Sequence, residues 1–365
     1  MAFRLKPALA ATAAVLALGT AGASAQNFII SSALPQSHLW VGQHMDLFME
    51  AMEDASGGEV TFTPFYAGEL TGVGREYDAL DSGTIAIAGP LLAPYHEGLF
   101  PLSDVTQLPT YNTTSPMVTR AFQRMLDSDE ELVDGQTFHD YEIGDKGIRV
   151  WALGATAAYS ISTTDRELTE PGDFAGLPLR AGSAIHTMAA TELGSTSVTM
   201  PAVQVYEAMA RGTVGGILLA ISDWPAYSLE QLLRYTITDV SIGHWESYFA
   251  ISDDAWNQMS AENQEIFDRI AREIGMANAQ IWEDGVEEVI ALSEAEFDGR
   301  FVPVTDLSQE MQDHIAAAAA RTWRTWIDRV EAQGHPGTAT ARLYARFIVE
   351  EGGELPEGVA EMLDL

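Results

Sequence analysis

The sequence predicts an α/β fold of two lobes, and three observations lead to this prediction. Strand and helix patterns alternate along residues 27–88 and again along residues 147–220, as in sheets that are covered by helices. One helical period of apolar residues then runs from Ser260 to Phe297, which is long enough to extend across two lobes. The chain has 365 residues, more than one hydrophobic core of ordinary size contains.

The first unit consists of three predicted strands separated by two helices, each helix with one apolar face. In chain order these are strand 27–32, helix 41–55, strand 59–65, helix 75–80 and strand 84–88. This order is typical of a parallel sheet.

The second unit repeats the alternation with more strands. Its strands are predicted over residues 148–152, 159–162, 177–180, 198–200 and 213–220, and its helices over 184–193 and 201–211. Two long helices follow, over residues 260–297 and 308–332. Gly275 and Gly285 lie inside the first of them, and we expect them to break or bend it.

Residues 1–25 have the features of a secretory signal peptide. Arg4 and Lys6 precede an apolar run over residues 8–18, and Ala23-Ser24-Ala25 supplies the small-residue cleavage pattern. The apolar run is too short to span a bilayer. We therefore predict export to the periplasm, with a mature chain that begins near Gln26 and does not insert into the membrane.

The charge balance limits the possible partners. The chain has 53 acidic and 19 basic residues and a net charge of −34, which disfavours nucleic acid and anionic membrane surfaces as partners. An anionic ligand would need a local cationic group, and an arginine is the expected one. The sequence has no Cys, so disulfides, thiolate metal sites and a lipid-modified anchor that would tether an interaction protein are excluded.

No linear motif of catalysis or cofactor binding is present. Gly72-Val73-Gly74 begins like a dinucleotide-binding loop, but Tyr77 replaces the third glycine. The eight histidines are scattered without metal-ligand spacing. We predict a protein that is not an enzyme and that uses no cofactor and no metal; a secreted hydrolase without a linear motif is the alternative from another class.

Residues 168–216 contain the most specific pattern of the chain. They read LTEPGDFAGLPLRAGSAIHTMAATELGSTSVTMPAVQVYEAMARGTVGG, in which an acidic-Phe pair and a Gly precede an apolar-x-Arg strand. A helix, a Leu-Gly turn, a Met before a Tyr-x-Ala helix and a Gly-rich strand follow in order. With Gly57-Gly58 and Phe100-Pro101-Leu102, this resembles the DctP-type solute-binding proteins of tripartite ATP-independent periplasmic (TRAP) transporters over nearly the whole mature chain.

The resemblance implies a periplasmic binding protein fold, in which crossing strands and a long helix join two lobes around a ligand cleft. It also implies closure around a small organic acid and delivery of that acid to a TRAP membrane permease. We assign residues 26–152 and 247–285 to lobe one, residues 153–246 and 286–350 to lobe two, and residues 351–365 to a C-terminal tail.

The resemblance also carries the ligand-clamping arginine of the family onto Arg180. A guanidinium can hold a carboxylate through two parallel hydrogen bonds, and the start of the helix after Ser183 favours the same negative charge. From the residues alone, an ion pair with one of the many acidic side chains is the simpler interpretation of Arg180.

Nine further residues are candidates for the ligand site. Core packing is the alternative role of Trp224, Trp245 and Tyr248, and capping of the following helix is the alternative role of His38. The nine candidates are His38, Tyr66, Glu69, Tyr159, Ser183, Leu219, Trp224, Trp245 and Tyr248.

Four positions depart from the family pattern towards smaller or apolar residues. Ala157, Ala202, Leu218 and Leu219 stand where relatives tend to place an arginine, a bulky aromatic residue or polar groups. We therefore expect an apolar cleft wall and a monocarboxylate ligand with an apolar or aromatic body. A C4-dicarboxylate or a sugar acid is the alternative ligand.

Overall fold

The computed structural model describes residues 25–96 and 98–365 of the chain. The predicted signal peptide lies outside these residues except for Ala25. The strands in chain order are β1 (Gln26–Ser31), β2 (Val60–Phe65), β3 (Ile87–Leu91), β4 (Ile148–Ala152), β5 (Tyr159–Thr163), β6 (Pro178–Ala181), β7 (Thr196–Thr199), β8 (Gly216–Ala220), β9 (Tyr235–Thr238), β10 (Tyr248–Ser252) and β11 (Arg300–Pro303).

The helices alternate with these strands in the first two thirds of the chain and follow one another in the last third. They are α1 (Asp46–Ala55), α2 (Glu76–Asp81), α3 (Ser115–Asp127), α4 (Phe138–Glu142), α5 (Ala184–Glu192), α6 (Val205–Ala210), α7 (Trp224–Tyr227), α8 (Asp253–Trp256), α9 (Ala261–Glu296), α10 (Gln309–Ala332), α11 (Gly337–Glu350) and α12 (Val359–Met362).

The strands form two sheets, and each sheet is the centre of one lobe. The first has the order β2-β1-β3-β10-β4 and the second β11-β9-β5-β8-β6-β7. Neighbouring strands are parallel except around β10 and β5, which run antiparallel to both of their neighbours. These are the two strands that enter a sheet from the other lobe, so the sheets are mixed where the sequence predicted parallel ones.

The third strand lies three residues later than predicted. The alternation over residues 84–88 led us to end it before Gly89-Pro90, yet β3 spans Ile87–Leu91. Its pairing with β10 passes from Ala88 directly to Leu91. Because that register requires no backbone N–H from Pro90, the proline is compatible with a strand inside the sheet.

The C-terminal helices belong to lobe one, which corrects our assignment of residues 337–350 to lobe two. Helix α11 packs against α3, and the Tyr344 hydroxyl donates to the Thr106 carbonyl over 3.3 Å. Residues 351–365 are not a separate tail either, since Tyr111 and Glu354 exchange two backbone hydrogen bonds of 2.8 Å. Leu363 is fully buried in the same core.

Helix α9 runs without interruption through 36 residues, so Gly275 and Gly285 do not break it as expected. A Cβ atom at Gly275 would lie 2.5 Å from the carbonyl oxygen of Ala152. The glycine is therefore needed for close approach of the helix to the chain that leaves β4, at the point where the two lobes are joined.

Two crossing segments, residues 153–158 and 239–247, connect the sheets. The Glu246 carboxylate accepts hydrogen bonds from the backbone N–H groups of Leu153, Gly154 and Ser247 over 2.9 to 3.2 Å. Thr156 donates its N–H to the Trp245 carbonyl over 2.9 Å. The crossing segments are thus tied side by side, as expected for a hinge between lobes.

Buried carboxyls make the stability of the fold depend on pH. Burial raises the pKa of Glu142 to about 7 and that of Glu246 to about 8, whereas unfolded carboxyls titrate near pH ~4. Between the unfolded and the folded pKa values, the folded protein therefore binds more protons than the unfolded protein does. Its stability falls as the pH rises through this interval. Burial lowers the pKa of His44 and His186 to about 3, which acts in the opposite direction up to about pH 6.5.

Above about pH 6.5 only the carboxyl effect remains, and we expect the free energy of unfolding to fall by on the order of 2 kcal/mol by about pH 8.5. Glu246→Gln keeps an oxygen for the three backbone donors and should show a smaller decline. Chemical unfolding at a series of pH values measures both slopes. A constant or rising stability over this interval would contradict the prediction.

Candidate ligand-binding site

A cavity lies between the lobes where the ends of β6 and β8 face the loop after β1 and the crossing segments. Its volume is about 40 Å³, so the two lobes lie close together around it in this structure. Five aromatic residues contribute to its wall: Trp40, Tyr95, Tyr159, Tyr227 and Trp245. Its polar groups include those of His38, Thr156, Arg180 and Asp223.

Arg180 is in β6 and is only 1% exposed. Its Nε donates to the Met200 carbonyl over 3.0 Å and its Nη1 to the Leu218 carbonyl over 3.2 Å. Among the described residues no carboxylate lies within ion-pair distance of the guanidinium, so the ion pair with an acidic side chain is not formed there. A buried charge without a counter-charge is costly, and an anion bound in the cavity would supply the missing partner.

Gly182, the residue that follows β6, leaves room for this guanidinium. A Cβ atom at Gly182 would lie 2.9 Å from the Trp245 ring and 3.0 Å from Nη2 of Arg180, so the glycine allows both side chains to approach the backbone. Ser183 caps α5 by accepting the N–H of His186 over 3.3 Å, and its hydroxyl also contacts Gln107. Ser183 thus supports the turn beside Arg180 without lining the cavity.

Asp223 is the main polar residue of the cavity that the sequence interpretation missed. It lies between β8 and α7 and is 4% exposed. Burial raises the pKa of its carboxyl to about 7, although the positive charge of Arg180 opposes this shift. Ligand sites of α/β proteins commonly lie just beyond the ends of strands, and an acidic residue three positions after β8 was the available signal.

His38 reaches the same cavity from lobe one. Its Nδ1 accepts the backbone N–H of Trp40 over 3.1 Å, which places the ring proton on Nε2. Burial lowers the pKa of His38 to about 3, so the ring is neutral. Its Nε2 lies 3.3 Å from Oδ1 of Asp223, but Oδ1 has no hydrogen bond of acceptable geometry. The contact is therefore neither an ion pair nor a well-formed hydrogen bond.

The aromatic residues form stacked pairs around the cavity. The rings of Tyr95 and Trp245 are 5.5 Å apart with an interplanar angle of 30°. The ring of Tyr159 stacks on His186 at 4.5 Å. Such pairs present flat apolar faces, against which a planar ligand body can pack.

Five of the predicted site residues line this cavity: His38, Tyr159, Arg180, Leu219 and Trp245. Trp224 does not, which corrects its prediction. Its side chain is fully buried and stacks on Phe301 of β11 at 5.8 Å. The turn after β8 places Asp223 at the cavity and the next residue in the core of lobe two.

Three other predicted residues also lie elsewhere. The Tyr66 hydroxyl donates to Asp46 over 2.8 Å, and Glu69 is exposed. Tyr248 is buried in the core of lobe one with its hydroxyl 2.7 Å from that of Ser103. All three belong to lobe one, and none of them lines the cavity.

The expected apolar wall is only partly formed. Ala202 and Leu219 line the cavity, whereas the side chains of Ala157 and Leu218 are part of the buried core. Leu218 contributes to the site through its carbonyl, which accepts from Arg180. Asp223 and His38 add polar groups that this expectation did not include.

No helix among residues 25–96 and 98–365 combines the length and the apolar character needed to cross a membrane. Within the same residues, no three or more His, Asp and Glu side chains are grouped so that they could hold a metal ion.

Two α/β lobes joined by crossing segments, with a cavity between them that contains a buried arginine, are the architecture of a bilobal binding protein. Residues 30–329 match the DctP family model of bacterial extracellular solute-binding proteins, family 7. The chain belongs to this family, and it is a solute-binding protein rather than an enzyme.

Solved structures with the same fold include three TRAP solute-binding proteins. One, from an unidentified marine microbe, is specific for aromatic acid ligands and was solved with metahydroxyphenylacetate. Its TM-score is 0.80 at 19% identity, over 89% of this chain and 99% of that one. One from Rhodoferax ferrireducens with copurified benzoate has a TM-score of 0.77 at 18% identity, and the match covers 89% of this chain and 98% of that one. One from Bordetella bronchiseptica with (R)- and (S)-mandelate has a TM-score of 0.74 at 18% identity, and the match covers 89% of this chain and 99% of that one. These similarities confirm the predicted fold.

Proposed function

We propose that this protein is the periplasmic receptor of a TRAP transporter and that it delivers a small monocarboxylic acid with an apolar or aromatic body to the membrane permease. The observation that carries the proposal is Arg180, a buried guanidinium with no carboxylate within ion-pair distance among the described residues, in a cavity with aromatic walls. The solved relatives with bound aromatic acids support the same class of ligand.

Arg180 would hold the carboxylate of the ligand. Two of its five N–H groups are used by the carbonyls of Met200 and Leu218, and these bonds fix the plane of the guanidinium. The remaining N–H groups are on Nη1 and Nη2, and they can donate parallel, charge-assisted hydrogen bonds to the two oxygens of a carboxylate. Because the site is enclosed, these bonds are stronger than they would be in water.

The aromatic walls would hold the body of the ligand. Burial of apolar surface stabilises the complex by about 25 cal/mol per Å², and stacked rings add to this through their preferred geometry. Trp245 belongs to a crossing segment and Tyr95 to lobe one, so one ligand body would contact both parts. Ligand binding would therefore favour the closed arrangement of the lobes.

A second carboxylate would find no cationic partner among the residues that line the cavity. His38 is neutral, and Asp223 would repel another negative group. Desolvating an unpaired carboxylate costs several kcal/mol. C4-dicarboxylates should therefore bind weakly, and sugar acids would bury hydroxyl groups against aromatic faces.

A thermal-shift screen followed by calorimetry tests the proposal. Benzoate, phenylacetate, mandelate and branched aliphatic monocarboxylates are compared with succinate, malate and a hexuronate. We expect the largest rise in melting temperature from an aromatic monocarboxylate. If succinate, malate or the hexuronate produced the largest rise, the proposed ligand class would be wrong.

A further inference from the structure

Asp223 has a buried oxygen that nothing in the described chain satisfies. Its Oδ1 has no hydrogen-bond partner there, and the residue is 4% exposed in the wall of the cavity that contains Arg180. Buried polar atoms are hydrogen-bonded in the great majority of cases. Because Asp223 lines the cavity, its unsatisfied carboxyl oxygen indicates a hydrogen-bonding group on the ligand.

Charge balance leads to the same conclusion. Arg180 interacts electrostatically with the carboxyl of Asp223. The carboxyl also interacts with the hydroxyls of Tyr95, Tyr159 and Tyr227. His38 is near but neutral. A bound carboxylate would use the single guanidinium, so the Asp223 carboxyl needs a partner that does not add negative charge.

The position of His38 indicates which kind of ligand group would bind to Asp223. Its Nδ1 is occupied by the N–H of Trp40, which leaves an Nε2–H donor 3.3 Å from Oδ1 of Asp223. A donor and an acceptor thus lie side by side in one part of the cavity. A hydroxyl group matches such a pair because it donates one hydrogen bond and accepts others, whereas an ammonium group only donates.

We infer that the ligand is a hydroxylated monocarboxylic acid, whose hydroxyl donates to Oδ1 of Asp223 and accepts from Nε2 of His38 while Arg180 holds its carboxylate. This inference rests on the proposed function and names the ligand more closely. The pKa of Asp223 near 7 is compatible with it, since a hydroxyl can donate to the carboxylate or accept from the carboxylic acid.

Calorimetry with matched acids tests the inference on the unaltered protein. The pairs are benzoate with 3-hydroxybenzoate, and phenylacetate with 3-hydroxyphenylacetate and with mandelate. We expect a hydroxylated acid to bind at least about tenfold more tightly than its parent, as for a hydrogen bond to a charged group. If each hydroxylated acid bound with the same affinity as its parent acid, the inference would be wrong and the proposed function would still stand. Tighter binding of phenylalanine than of any hydroxy acid would also overturn it, in favour of an ammonium group. If no monocarboxylate bound, the proposed function itself would fail.

Variants then locate the effect at Asp223. Asp223→Leu should remove the preference for the hydroxylated acid while the parent acid binds as well or better. Asp223→Asn keeps the shape and one acceptor, so the preference should fall about fivefold. Asp306→Asn makes the same change at an exposed position of lobe two and should leave the preference unaltered. Melting curves show whether each variant is folded, and an undiminished preference in both Asp223 variants would overturn the assignment.

Discussion

Replacing Arg180 with Met is expected to weaken binding of the tightest acid from the screen by about 2 to 4 kcal/mol, or roughly 30- to 1000-fold. Met keeps most of the side-chain volume but cannot donate to the carboxylate. The unliganded variant should be as stable as the unaltered protein or more stable, because it no longer buries a guanidinium that has no carboxylate within ion-pair distance. Calorimetry gives the affinity and chemical unfolding gives the stability.

Two further variants define what Arg180 contributes. Arg180→Lys should recover only part of the affinity, because an ammonium group lacks the planar fork of the guanidinium. Arg211→Met removes an exposed arginine of lobe two that pairs with Glu207 and should bind as the unaltered protein does. An unchanged dissociation constant for Arg180→Met would remove this residue from the binding site.

Opposite effects on stability are expected at the two glycines of α9. Gly275→Ala would place a methyl group 2.5 Å from the carbonyl oxygen of Ala152, the last residue of β4, so α9 and the strand would have to move apart. We expect a loss of about 2 to 4 kcal/mol, even though alanine favours a helix by about 1 kcal/mol.

Gly285→Ala is the matched control on the same helix. The nearest atom to its new methyl group would be the Ser222 side-chain carbon at 3.3 Å, which a small adjustment can accommodate. The helical preference of alanine should then dominate, and the variant should be unchanged or more stable by up to about 1 kcal/mol. Urea unfolding of both variants provides the comparison, and equal stabilities would show that close approach at Gly275 is unimportant.

Most elements of the fold were predictable because their patterns are local. The period of apolar residues defined α9 and α10 to within a residue or two, and the alternation of residues defined β1, β4 and β5. Lobe membership was less predictable near the C-terminus, where it depends on contacts between distant residues. The Trp326 indole, for example, donates to Asp104 over 2.9 Å.

The site was predictable in part. The prediction that Arg180 binds the ligand came from a family pattern, and the structure places its side chain in the cavity. Trp224 was predicted from its place close after the strand, and Asp223 was not among the candidates. The turn between β8 and the four-residue helix α7 decides whether the side chains of Asp223 and Trp224 point to the cavity or to the core. So few residues show no sequence periodicity from which these directions could be predicted. Tyr95 and Tyr227 were missed for the same reason, since both belong to short helical turns.

The position of α11 in lobe one has a consequence for how the chain folds. The core of lobe one combines residues from the first strand with Tyr344 and Leu363, more than 300 positions later. All of lobe two is encoded between these parts. Contacts between such distant residues form slowly because a long loop must close first. Lobe one therefore completes its core only after nearly the entire polypeptide has become available, while lobe two can collapse earlier. A nascent chain of this kind stays incompletely folded until its last helices have been synthesised.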